Sequence, residues 1–150
     1  MKADLAWVAR TLRRAGSRGE EPGEGTIEGV SIDTRGPCAG TLFVALAGER
    51  GDGHAYLDRA IAQGAAALLV SSARRADALA VSLGAAVFDV PDTLAGLQAL
   101  AAAWRERVNP NVIAITGSTG KTGTKNLAAA ILSRRFAVHA TPGNLNNHIG

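Results

Sequence analysis

The residues best suited to chemistry stand in Gly117-Ser118-Thr119-Gly120-Lys121-Thr122-Gly123-Thr124-Lys125. Lys121 has the right charge and reach to neutralise the β/γ-phosphates of a nucleotide, and the Thr122 hydroxyl suits Mg²⁺. Gly117 and Gly120 permit a tight turn with backbone close to a ligand. Through Ser118, Thr119 and Gly123 the turn offers further N–H groups at a helix start, where the dipole favours an anion. The plain alternative is a glycine turn with a solvated lysine. Lysine usage argues for phosphate: only Lys2, Lys121 and Lys125 are lysines among 16 Lys+Arg. A compact ammonium suits phosphate as a point charge. The longer form of the motif wants glycine where Ile115 stands, so the pattern here is the shorter G-x-x-G-K-T.

Such a loop needs a strand before it and a helix after it. Val112–Ile115 is an apolar run that reads as a buried parallel strand. Asn126–Ser133, rich in Ala and Leu, reads as the helix, and Phe136–Ala140 as a second strand of the same domain. Upstream, Leu5, Val8, Ala9 and Leu12 recur at helical spacing over Asp4–Ala15, which Gly16 closes. Strands are expected over Thr26–Asp33, Thr41–Leu46, Ala66–Val70 and Ala85–Val90, and a tight loop over Ala47–His54. Helices are expected over Ala55–Gln63, closed by Gly64, and over Arg74–Leu83. Asp92 caps a longer helix with Leu94, Leu97, Leu100, Ala101 and Trp104 on one face. Asn109-Pro110 ends that helix and marks a domain boundary between 1–108 and 110–150. Alternating strands and helices give an α/β class.

Composition bounds the rest. With 150 residues, 47% hydrophobic and 19% charged, the chain is a globular protein with enough length for a core. A net charge of +3 makes no case for nucleic acid. Its distribution is uneven. No Asp or Glu follows Glu106, so residues 108–150 carry +4, and residues 1–107, with twelve cations against thirteen anions, carry −1. Cys38 is alone, which excludes a disulfide framework and fits a reducing cytosol. No apolar run approaches a membrane span, and a cytoplasmic, monomeric protein without membrane insertion is expected. His54, His139 and His148 have no metal spacing and read as surface or satisfied structural histidines.

Three stretches carry a resemblance. Ser31-Ile32-Asp33-Thr34-Arg35, together with Gly40–Leu46, Gly48-Glu49-Arg50 and Asp52-Gly53-His54, resembles the first domain of the Mur ligase family. Gly117–Thr122 is similar to that family's ATP loop, which by itself would also suit a folylpolyglutamate synthetase. Thr141-Pro142-Gly143-Asn144-Leu145-Asn146-Asn147 is similar to the branch that adds D-alanyl-D-alanine to UDP-N-acetylmuramoyl-tripeptide. The resemblance implies a small N-terminal UDP-substrate-binding α/β domain (1–108) followed by the start of a P-loop parallel-sheet ATP-binding domain (110–150).

It also implies a step of peptidoglycan synthesis in which ATP, with Mg²⁺, phosphorylates a carboxylate and an amine displaces the phosphate. Ile32, Thr34, Glu49, Arg50 and Gly51 would then line the UDP-sugar site, with Asn144, Asn146 and Asn147 near the muramoyl or peptide part. Physically, Arg50 offers a fork for a diphosphate. The Gly48–Gly53 stretch reads equally as a plain turn, and asparagines after a strand are ordinarily turn formers. Because the chain stops at Gly150, it is expected to be the N-terminal portion of a ligase, inactive alone and weak for ATP. Residues 110–150, with two strands and one helix, are expected to be poorly covered. The other classes are a non-catalytic UDP-sugar-binding module, another member of the family, or a generic P-loop phosphotransferase.

Overall fold

The computed structural model describes residues 1–19, 21–48 and 51–141. The chain divides into two compact units, Met1–Val108 and Asn109–Gly150.

In the first unit, strands β1 (Ala3–Asp4), β2 (Thr26–Ile27), β3 (Gly29–Ser31), β4 (Thr41–Val44), β5 (Ala47–Gly48), β6 (Gly51–Asp52), β7 (Ala67–Ser71) and β8 (Ala86–Val90) alternate with helices α1 (Leu5–Arg14), α2 (Leu57–Ala62), α3 (Arg75–Val81) and α4 (Thr93–Val108). The main sheet is wholly parallel, in the order β3-β4-β7-β8. Its strands alternate cleanly between two faces. Leu42, Val44, Ala67, Leu69, Phe88 and Val90 join Leu5, Val8 and Leu12 of α1 and Leu100 of α4 in one buried cluster. Phe43, Ala45, Leu68 and Val70 join Leu57 and Ala60 of α2 and Ala78 of α3 in another. Helices cover both faces, as a parallel sheet requires. Each fully buried leucine or phenylalanine contributes about 1.5–3 kcal/mol.

Local chemistry sets the element ends. The Asp4 carboxylate accepts the Trp7 N–H at 2.5 Å and caps α1. At the other end, the Ser17 N–H reaches Leu12 O and the Gly16 N–H reaches Arg13 O, a glycine-closed Schellman turn with Gly16 at φ 91°. Asp92 accepts the Leu94 N–H at 2.8 Å and starts α4. Asn109, at φ 40°, follows the end of α4.

Several expectations are corrected. The single strand over Thr26–Asp33 is two: β2 pairs antiparallel with β1, and β3 pairs parallel with β4. The break falls at Glu28, whose N–H donates to Gly40 O instead of continuing a ladder. Within the tight loop expected over Ala47–His54, β5 and β6 pair antiparallel, and a 3₁₀ turn follows over Gly53–Tyr56. The buried line of α4 is Thr93, Gly96 and Leu100, with Leu97 and Trp104 packed beside it and Ala101 exposed. The cause is close approach at Gly96: a Cβ there would lie 3.1 Å from Val90 Cγ2 and 3.3 Å from Leu69 Cδ2.

In the second unit, the described residues form one helix, α5 (Lys121–Leu132). Val112–Ile115 and Phe136–Ala140 are not strands, and Val112 and Ile113 are exposed. An extended segment becomes a parallel strand only when a neighbour completes its ladder, and no described segment of this unit does so. None of its described residues is buried.

Candidate functional site

The glycine turn has the backbone that a phosphate cradle needs. Gly117 sits at φ 147° and Gly120 at φ 78°, both conformations that a side chain would strain. Gly120 is the N-cap of α5, so Lys121, Thr122 and Gly123 form its first turn, with no acidic residue among them to repel an anion. The Lys121 ammonium donates to the carbonyls of Gly117 and, at 3.4 Å, of Ser118, folding back over the turn that Ser118 and Thr119 complete. Lys125, one turn further on, donates to Thr141 O. Lys121, Thr122 and Gly123 are exposed. This arrangement fits a nucleotide's phosphates: N–H donors at a helix start, a hinged ammonium, and open space at Gly120, where an added Cβ would meet no atom within 4 Å. For Mg²⁺ the fit is narrower. Thr122 is the one assigned oxygen, and the described residues contain no cluster of three His, Cys, Asp or Glu.

The second group of predicted residues lies in the first unit, at the carboxyl edge of its parallel sheet. Ligands of open α/β sheets bind at this edge. Ile32 and Thr34 follow β3, and Gly51 lies in the hairpin that follows β4, the neighbouring strand. Ile32 is exposed and not part of a strand, Thr34 is buried and Gly51 is exposed. Glu49 and Arg50 lie outside the described residues, as do Asn144, Asn146, Asn147 and His148.

The loop after β3 is held in shape by its own side chains. Asp33 receives the Arg35 N–H at 2.9 Å and a forked contact from the Arg35 guanidinium, with Nη2 at 2.6 Å from Oδ2. The Arg35 side-chain bonds hold the Asp33 carboxyl down at about 2, and the same pair raises Arg35. The Ser31 hydroxyl donates to Asp33 O at 3.1 Å. Cys38 is fully buried below the loop, packed in the core beneath α2.

Of the two readings the sequence left for His54, surface or satisfied structural histidine, the second holds. His54 is buried, and its Nδ1 lies 2.5 Å from Asp52 Oδ1 while its Nε2 accepts the Ser71 N–H at 2.9 Å. With Nε2 accepting, Nδ1 carries the proton and donates to Asp52. Asp52 is pushed below the ordinary carboxylate range, first by the His54 backbone N–H and then by the ring. His54 is therefore a satisfied structural histidine, tying the hairpin base to the end of β7. The Asp-x-His spacing carried that signal, because an aspartate caps the N–H two residues on. Gln63 was missed altogether: its Nε2 donates to Thr34 O at 2.8 Å. So was the buried Asp89, which takes Arg75 Nη1 at 2.6 Å and the Ser72 hydroxyl at 2.7 Å. A groove of about 350 Å³ beside β8, lined by Glu21, Glu24, Arg75 and Val87 among others, contains none of the predicted residues.

Comparison with known proteins bears on both regions. The model for the Mur ligase family, catalytic domain, matches residues 26–105, and that for the Mur ligase middle domain matches residues 115–150. The UDP-N-acetylmuramoyl-tripeptide–D-alanyl-D-alanine ligase of Escherichia coli (strain K12) is 46% identical over 125 residues, 83% of this chain and 26% of the relative. The ligase of the same name from Synechocystis sp. is 44% identical over 124 residues, again 83% of this chain and 26% of the relative. Among solved structures, a MurF from Acinetobacter baumannii superposes with a TM-score of 0.76 at 31% identity, covering 98% of this chain and 31% of that one. MurF ligase from Thermotoga maritima, in complex with ADP, gives a TM-score of 0.61 at 30% identity over 78% of this chain and 26% of that one. The chain thus spans between a quarter and a third of the length of these relatives. A family model over more than half of its residues, a second over the glycine turn, and a shared fold place the chain in the Mur ligase family.

Proposed function

We propose that this chain is the substrate-nucleotide portion and the start of the ATP portion of a ligase that joins D-alanyl-D-alanine to UDP-N-acetylmuramoyl-tripeptide through an acyl phosphate. The observation that carries the reading is the glycine turn capped onto α5 with Lys121 folded over it, within a chain whose named relatives are ligases of that substrate pair. Domains 1–108 and 110–150 take the two roles. On this reading Gly117–Gly123 cradle the phosphates of ATP, and Lys121 swings from its loop carbonyls onto the γ-phosphate. The Thr122 hydroxyl offers an oxygen to Mg²⁺, which when bound neutralises phosphate charge. Thr34, Gly51 and the exposed Ile32, with Glu49 and Arg50, receive the UDP-sugar, and Asn144, Asn146 and Asn147 its muramoyl or peptide part. The described residues include no helix able to cross a membrane; the protein works in the cytoplasm as a monomer.

A second reading, a UDP-sugar-binding module without chemistry, is favoured by one observation: among the described residues, every buried one lies in Met1–Val108. Calorimetry on the 150-residue chain separates the two. Binding of UDP-N-acetylmuramoyl-tripeptide, together with ATP binding lost in Lys121→Ala, supports the ligase. Binding of the UDP-linked peptide alone supports the module, and binding of neither ligand overturns both.

A further inference from the structure

We infer that Gln63 is a positioning residue for the UDP-substrate site, setting through one hydrogen bond the shape of the loop that presents Thr34. The inference rests on the assignment of Thr34 to that site.

The geometry starts at the end of α2. There the Ala65 N–H donates to Ala60 O at 3.0 Å and the Gly64 N–H to Ile61 O at 2.8 Å, with Gly64 at φ 84°. This is a Schellman turn, and Gln63 is its C-cap. Its Cα is therefore fixed by three backbone bonds, counting its own N–H to Arg59 O at 3.0 Å. From that fixed origin the side chain crosses to a loop 29 residues earlier and donates to Thr34 O at 2.8 Å. The next residue holds the far end of the same loop, because Gly64 O accepts the Gly40 N–H at 2.8 Å. One helix end thus grips the connection between β3 and β4 at two points. A side-chain amide holds it near the start and a main-chain carbonyl holds it at the finish.

The remaining atom of the amide shows what this contact is for. Gln63 Oε1 is the one buried side-chain polar atom among the described residues with no hydrogen-bond partner. A buried acceptor without a donor is a cost to folding. Turning the amide over would set Oε1 against Thr34 O, two acceptors facing each other, so the orientation is dictated by the Thr34 carbonyl. A residue chosen for stability alone would be an apolar one of the same length. A glutamine that leaves one end unsatisfied in order to fix Thr34 O is placed for the loop's geometry.

Two substitutions in the 150-residue chain test this, with UDP-N-acetylmuramoyl-tripeptide as the calorimetric ligand and thermal unfolding measured in parallel. Gln63→Met keeps length and bulk but removes the donor. It should weaken binding about tenfold, the equivalent of one hydrogen bond, while the unfolding midpoint stays within about 3 °C of the parent. Gln63→Glu places a carboxylate against Thr34 O. It should bind more weakly than Gln63→Met at pH 8 and recover part of the loss at pH 5, where a protonated carboxyl can donate. Equal affinity in Gln63→Met and the parent overturns the inference. A loss of affinity that only follows loss of folded protein overturns it too, since that is a structural role. Failure of the parent itself to bind the nucleotide removes the site assignment beneath the inference, a result distinguishable from the other two.

Discussion

Replacing Gly53 by alanine should cost the first unit about 3–4 kcal/mol, a large share of a total stability of roughly 5–15 kcal/mol. The new Cβ would lie 2.8 Å from Leu46 N, 2.9 Å from Ala45 Cα and 3.0 Å from Leu46 O. All three are main-chain atoms, so no side chain can rotate away. Nor can the backbone yield, because Ala45 is fully buried and its N–H donates to Leu69 O of β7 at 2.9 Å. Forcing a methyl into packed surroundings costs about 1–3 kcal/mol, and the rigid partners here put the value at the upper end. The displaced backbone also gives up the Gly53 N–H to Leu46 O bond of 2.8 Å, worth about 1 kcal/mol more. At about 4–8 °C per kcal/mol for a domain of this size, the unfolding midpoint should fall by about 12 °C or more. Gly51→Ala is the control. It lies two residues earlier, in the β5–β6 hairpin, with no atom within 4 Å of its added methyl. Thermal unfolding followed by circular dichroism compares the two. Equal midpoints for Gly53→Ala and Gly51→Ala would falsify the close-approach reasoning.

Lys121→Ala removes a charge-assisted contact to phosphate of about 1.5–3 kcal/mol and should lower ATP affinity by roughly 10- to 150-fold, with no change in thermal midpoint; unchanged ATP calorimetry would retire the phosphate assignment. Asp89→Asn strips the charge partner from Arg75 in a pair that is buried on the aspartate side, and should destabilise the first unit by about 2–3 kcal/mol in urea titrations. Asp33 titrates at about 2 in the fold against an ordinary value of 3.8, so its contribution is complete above the ordinary value and drains away as pH falls toward 2. The stability difference between Asp33→Asn and the parent should therefore shrink on acidification through that window, and a difference that is flat from pH 5 to pH 2 would contradict the ion pair. In hydrogen exchange, amides of residues 110–141 should exchange faster than those of 67–71 and 86–90, given that none of the former residues is buried.

Much of the first unit was legible because its signals are local. The 3.6-residue recurrence of Leu5, Val8 and Leu12 and the glycines after α1 and α2 are written within a few residues of the structures they specify. The apolar runs at 41–46 and 66–70 were readable as strands for the same reason. What escaped depends on partners distant in sequence. Glu28 breaks a strand because its N–H finds Gly40 O, and no periodicity in residues 26–33 announces that. The face of α4 turns on Gly96, whose role is to be small against Val90 and Leu69, whereas pattern reading rewards large residues. Val112–Ile115 illustrates the opposite limit. Its composition is that of a buried strand, but composition supplies no neighbour, and without one the segment has no ladder. The turn at Gly117–Thr122 was readable, because the glycine spacing itself encodes it. Gln63 was opaque, because its bond to Thr34 spans 29 residues.

The order β3-β4-β7-β8 repeats the order of the strands along the chain. Within this sheet each strand therefore docks on the sheet strand synthesised before it, with only the β5–β6 hairpin, the 3₁₀ turn and α2 made between β4 and β7. A nascent chain leaving the ribosome can extend this sheet from one edge as it emerges, with loop-closure costs confined to neighbouring segments. The exception is the face beneath α1. Leu12 meets its full set of partners only when Gly96 and Leu100 of α4 arrive, about 85 residues of synthesis later. Until then that face of the sheet has α1 alone to cover it, so α4 is the segment whose emergence seals the unit, and the interval before it is when the growing chain has most to gain from a chaperone.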